Sequence, residues 1–179
     1  MSTIKTNRLQ TLNGDTFNLP VQVVRSTVGV GGTTSSDLVN DNASYALAFT
    51  TTTWTDVAFL QLAITPKFVN SVIRLELHYF VNNSGNSNNA ALRIRRDTTI
   101  IWQPQRNATG PYGTGHSTNS SLYMMQPLVC YDTPNTVSPI TYILQYRAYS
   151  SGSTCRLFGH PGSGEYAPVV TFAAMEFAQ

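Results

Sequence analysis

The chain has 179 residues, enough for one domain with a sizeable core. Hydrophobic residues make up 41%, a globular share, whereas charged residues make up 11%, less than half the roughly 25% of an average soluble protein. A net charge of +2 is too small for an electrostatic reader of nucleic acid, and no run approaches the roughly 20 apolar residues of a membrane-spanning helix.

Solubility therefore rests on neutral Thr, Ser and Asn. Thr is β-branched and suits strands, while Asn, Ser and Gly build tight turns, so the composition predicts an all-β protein. The first thirty residues hold no apolar run between a basic start and a small-residue cleavage site, which predicts assembly in a reducing cytosol. In that setting Cys130 and Cys155 are expected as free, buried thiols within strands, with a disulfide between them left open.

Residues 1 to 24 stand apart. Ile4, Leu9, Leu12, Phe17, Leu19 and Val21 follow no clean period, Asn13-Gly14-Asp15 is a turn signal and Pro20 a breaker. So few apolar side chains cannot fold alone, and the segment reads as an extended arm that needs a larger body to lie on. Residues 25 to 43 include the Gly/Thr/Ser stretch Gly29 to Ser36 and read as a link with a first strand. Residues 44 to 179 are expected to form the sandwich.

Within that region, Val57 to Ile64 is an apolar run stopped by Thr65-Pro66. Val72 to Val81 alternates Ile73, Leu75, Leu77 and Tyr79 with Arg74, Glu76 and His78, the period of a strand with one buried face. Leu92 and Ile94 alternate with Arg93 and Arg95, and Asp97-Thr98-Thr99 predicts a hairpin turn into Ile100 to Trp102. The basic cluster Arg93, Arg95 and Arg96 reads as a solvated strand face or an ion-pair set. Residues 103 to 120 form the longest irregular stretch, and such loops tend to carry function. Strand signals resume at Ser121 to Tyr131, Ile140 to Tyr149, Cys155 to Phe158 and Val169 to Phe177. In the last, Phe172 is expected to face outward, hinting at a subunit contact. About eight strands predict a jelly-roll-like antiparallel β-sandwich preceded by the arm.

Chemistry is sparse. His78, His116 and His160 lack the companions a zinc site needs, so no metal or other cofactor is expected. Asp97 and Asp132 read as turn residues and Glu76 as a cross-strand partner for an arginine. No nucleophile elbow or phosphate-binding loop occurs, so no enzyme is expected. The four Asn-x-Ser/Thr sequons, at Asn42, Asn82, Asn107 and Asn119, read as polar loop chemistry. Loop aromatics can stack on sugar rings, which makes Trp102, Tyr112, His116 and Tyr166 the candidate receptor or glycan contacts, with core or interface packing as the alternative.

The opening MSTIKTNRLQTLNGDTFNLPVQVV resembles the N-terminal arm of structural proteins of tailed phages, notably aquatic and cyanobacterial ones. ITPKFVNSVIRLELHYF resembles their I-T-P turn and strand, although Lys67-Phe68-Val69 replaces the usual small polar residues. ALRIRRDTTI is similar to their arginine-bearing hairpin, YDTPNTVSPITYILQYRAYSSGSTCRLF to their D-x-P-x-T turn and long strand, and VVTFAAMEFAQ to their closing strand. The resemblance implies a virion protein: a homotrimeric tail or neck fibre, with residues 1 to 24 as the anchor to other virion proteins and the head contacting a host-surface glycan. Ile4, Leu9, Leu12, Phe17, Leu19 and Pro20 would carry the anchoring. A capsid or neck decoration protein and a free lectin-like module are the alternatives.

Overall fold

The computed structural model describes residues 8–10, 16–28, 39–41, 44–83, 90–103, 122–148, 155–157 and 170–179. The described residues form thirteen strands and no helix: β1 (Arg8–Gln10), β2 (Thr16–Asn18), β3 (Gln22–Val28), β4 (Val39–Asp41), β5 (Ser44–Phe49), β6 (Thr55–Ile64), β7 (Val72–Asn83), β8 (Ala90–Arg96), β9 (Thr99–Trp102), β10 (Leu122–Asp132), β11 (Ile140–Ala148), β12 (Cys155–Leu157) and β13 (Val170–Phe177).

Strand β7 organises the larger sheet. Its alternation buries Ile73, Leu75, Leu77 and Tyr79 at no more than 1% exposure and turns Arg74, Glu76 and His78 outward. β10 runs antiparallel along one side of β7, while β13 and then β12 share the other side. β3 pairs with β13, and β5 and β4 extend the sheet beyond β12. The smaller sheet has the order β6-β11-β8-β9.

The quartet β3-β13-β7-β10 thus packs on β6-β11-β8-β9, and the core lies between them. Along these eight strands every step passes from one sheet to the other except the β8–β9 hairpin. That double Greek key is a jelly roll. Each fully buried Leu or Ile contributes roughly 1.5–3 kcal/mol relative to exposure, so the interior of Leu60, Leu62, Leu75, Leu92, Ile94 and Leu144 dominates stability.

Several local expectations change. The boundary expected at residue 24 falls inside β3, because Gln22 to Val28 complete a ladder with β13. The described parts of the arm form a separate antiparallel hairpin, with Leu9 opposite Phe17 on either side of the Asn13-Gly14-Asp15 turn signal. Phe172 does not face outward: its register opposite Leu77 puts it in the core at 0% exposure, and Ala174 follows it. Glu76 pairs with Arg74 on its own strand, since residues two apart share a face. The β8–β9 turn is tighter than expected. Thr99 already pairs with Arg96, and Asp97 takes the left-handed conformation, φ 49°, that Asp tolerates better than most residues.

Antiparallel pairing also sorts the connections. The β6–β7, β8–β9 and β10–β11 links, the last residues of β13 and the approach to β3 gather at one pole. The last residues of β3, β7 and β11 and the first residues of β6, β8, β10 and β13 lie at the opposite pole.

Candidate functional site

Three carboxylates organise the polar chemistry. At the first pole Glu176, at 0% exposure, sits near the end of β13. The backbone N–H groups of Lys67 (2.6 Å) and Phe68 (3.3 Å) and the Ser71 hydroxyl (2.5 Å) donate to its Oε1. Gln22 donates from Nε2 to its Oε2 at 2.6 Å and to the Thr65 carbonyl at 2.7 Å. One buried side chain thereby ties β3, β13 and the β6–β7 link together. Alternation alone gave no hint of this, because a glutamate near the end of a strand normally reads as exposed.

Asp132 joins the two sheets at the same pole. It accepts from Arg96 Nη1 at 2.6 Å and from the Tyr142 hydroxyl at 2.7 Å. It is therefore a cross-sheet ion-pair partner, not merely the turn residue expected from Asp-Thr-Pro. Burial, followed by the hydrogen bond to Asp132, pushes the Tyr142 phenol well above its ordinary range. Cys130, a free buried thiol on the same strand, is pushed up to about 12 by burial and by the Asp132 charge.

The third cluster lies on the outer face of the smaller sheet. A register shift between Ile143 and Gln145, where β11 meets β6, sets Asp56 opposite Gln145. Gln145 in turn faces Arg93 across the β8 ladder. Asp56 accepts from Arg95 Nη2 at 2.7 Å and from Gln145 Nε2 at 2.6 Å. The Arg95 hydrogen bond, opposed by partial burial and reinforced by Gln145, holds the Asp56 carboxyl below its ordinary range. Arg95 also donates to the Asp97 carbonyl. Arg93 donates to amide oxygens, those of Gln145 at 2.6 Å and Gln103 at 3.4 Å.

Trp54 completes this cluster. The guanidinium carbons of Arg93 and Arg147 lie 4.5 and 4.8 Å from its ring centroid, cation–π distances. Gln145, hydrogen-bonded to both Arg93 and Asp56, is 7% exposed although it points away from the core. Trp54, Thr55, Asp56, Arg95, Thr98 and Gln145 line a shallow concavity of about 640 Å³.

Of the candidate glycan contacts, Trp102 lies opposite Ile94 and packs, half-buried, against the core. Tyr112, His116 and Tyr166 lie outside the described residues, as do Ile4 and Leu12 of the arm. Leu9 and Phe17 are hairpin residues, and Leu19 and Pro20 are exposed just before β3. The sequence reading passed over Trp54, an aromatic directly before a strand whose arginine partners come from β8 and β11. Among the described residues no group of three His, Cys, Asp or Glu side chains could hold a metal.

The fold defines a jelly-roll β-sandwich. No family model matches the chain, and no curated protein is similar to it at a significant level. Among solved structures it is similar to the infectious bursal disease virus Gt strain structure, with 15% identity and a TM-score of 0.42 over 100% of this chain. It is also similar to the infectious bursal disease virus VP2 subviral particle, with 16% identity and a TM-score of 0.41 over 99% of this chain. The chain spans 43% and 42% of those proteins.

Proposed function

We propose that the chain is a non-enzymatic structural protein of a virus particle, a tail or neck fibre-like component anchored through its N-terminal segment. The observation that carries this reading is the distribution of exposed apolar side chains. Leu19, Phe68, Val69 and Val137, each 39–57% exposed, belong to the pole where the chain leads into β3. Apolar side chains gathered at one end suit burial against another protein. Phe68 and Val69 replace small polar residues of the phage pattern in the link that Glu176 holds, so the departure sits where a docking surface is needed.

The opposite pole is then the distal end. Tyr112, His116 and Tyr166 are its proposed contacts with a host-surface glycan, on the argument that loop aromatics stack on sugar rings. Val23, Val129 and Tyr131, 43–63% exposed on the outer face of the larger sheet, offer apolar area for packing in a homotrimer. Assembly would take place in the host cytoplasm.

The test is incorporation into particles. Removing residues 1 to 20 stops short of β3, so the shortened protein is expected to fold and to stay out of particles. A shortened protein that assembled normally would overturn the anchoring role. Light scattering on the full chain is expected to give trimers, and monomers at micromolar concentration would count against the fibre reading.

A further inference from the structure

We propose that copies of this chain meet edge to edge along the outer face of the larger sheet, with Val23 on β3 of one copy packed against Val129 and Tyr131 on β10 of the next. The inference rests on the homotrimer reading above and specifies its geometry. The three-fold axis runs along the strands, and the quartet β3-β13-β7-β10 faces inward.

Register is the first argument. Across the quartet, Val23 stands level with Met175, Arg74 and Tyr131, and Arg25 stands level with Ala173, Glu76 and Val129. The exposed apolar side chains therefore sit on the two edge strands, while the middle of the face carries the Arg74–Glu76 ion pair. Three antiparallel pairings in a row leave β3 and β10 antiparallel to each other. Rotation about an axis along the strands preserves height and direction. It brings β3 of one copy beside β10 of the next, antiparallel, with Val23 level with Tyr131. A two-fold, face-to-face pair would instead press one ion-paired middle onto another and desolvate both.

Size is the second. Strands lie about 4.8 Å apart, so a four-stranded face is about 19 Å wide, and three such faces around an axis each stand about 5–6 Å from it. That is the reach of one side chain. Ala173 and the mutually neutralising Arg74 and Glu76 fill the middle while the edges pack.

Charge is the third. At the seam, Arg25 lays its aliphatic stem along Val129 of the neighbouring copy and keeps its guanidinium in water. The outer face of the smaller sheet is less suited to meeting its own copies. Burial and the charges of Arg147 and Arg95 already push the Arg93 pKa down there, so a second such face adds repulsion.

The test is cross-linking of the intact chain with a short bis-maleimide reagent. A chain carrying both Val23→Cys and Tyr131→Cys is expected to give covalent dimers and trimers on a denaturing gel, whereas either single variant should run as a monomer. Light scattering supplies the second readout. Tyr131→Ser, at an exposed position, should weaken trimer association on the order of tenfold, and Val137→Ser at the first pole should leave it unchanged. Trimers that cross-link no better in the double variant, or that survive Tyr131→Ser unweakened, would overturn this interface and leave the homotrimer standing. Dimers of the unmodified chain would overturn the three-fold arrangement, and monomers would remove the homotrimer with it.

Discussion

Glu176 and Asp56 are both carboxylates near the ends of strands, yet the fold treats them in opposite ways. Glu176 is fully buried and satisfied by neutral donors from two parts of the chain, β3 and the β6–β7 link. Asp56 lies on an exposed face, with a side chain 40% accessible, and is satisfied by an arginine and an amide. A buried acceptor is costly to lose because its donors stay stranded away from water, whereas an exposed ion pair is readily replaced by solvent. Glu176 therefore serves stability at the first pole, whereas the exposed Asp56 pair adds little to it.

The largest test of that contrast is Glu176→Ala, which strands the Lys67 and Phe68 amides, Ser71 and Gln22 together. Chemical denaturation should show a loss on the order of 3 kcal/mol. A loss no larger than that of an exposed pair would break the comparison.

Alkaline pH probes the neighbouring Asp132 cluster. Cys130 titrates near 12 when folded against an ordinary 9.0, so between those values the native state holds the proton that the unfolded chain releases. Its stabilising contribution is complete below about pH 9 and declines as pH rises towards 12. Tyr142, also raised, adds to the decline above about pH 10. Denaturation measured from pH 8 to 11 should show this fall, and Cys130→Ala should flatten its first part.

A smaller effect is expected from Tyr142→Phe. It removes one hydrogen bond to Asp132 and leaves the Arg96 ion pair, so about 1–2 kcal/mol should be lost. The smallest belongs to Asp56→Asn, at about 0.5 kcal/mol after allowance for solvent screening. The Asp56 pKa is depressed, so this contribution is present above about pH 4 and fades as pH falls through the folded value. Stability curves of the two proteins should converge in acid and in high salt.

Much of the fold was legible because β-structure writes itself in period two. The alternation of Ile73, Leu75, Leu77 and Tyr79 marked both a strand and its buried face, and that face is the core. Alternation says nothing about which neighbour a strand takes. Phe172 was assigned to the wrong face for that reason: Ala173 and Met175 are as apolar as Phe172 and Ala174, and only the register with β7 separates the two sets. β3 was hidden in the arm because its side chains mix Gln, Arg and Ser with valines, and its strand state depends on β13 being there to pair.

By itself, then, the sequence determined an all-β sandwich of low charge, since composition and side-chain period act locally along the chain. Only the tertiary structure decided where the polar groups meet. Glu176 is separated by 105 residues from Ser71, and Asp56 by 89 from Gln145. Such contacts arise from strand order and register, which follow from the packing of whole sheets and not from any short stretch of residues. The same holds for Trp54 and its two arginines, an arrangement that exists only once β6, β11 and β8 lie side by side.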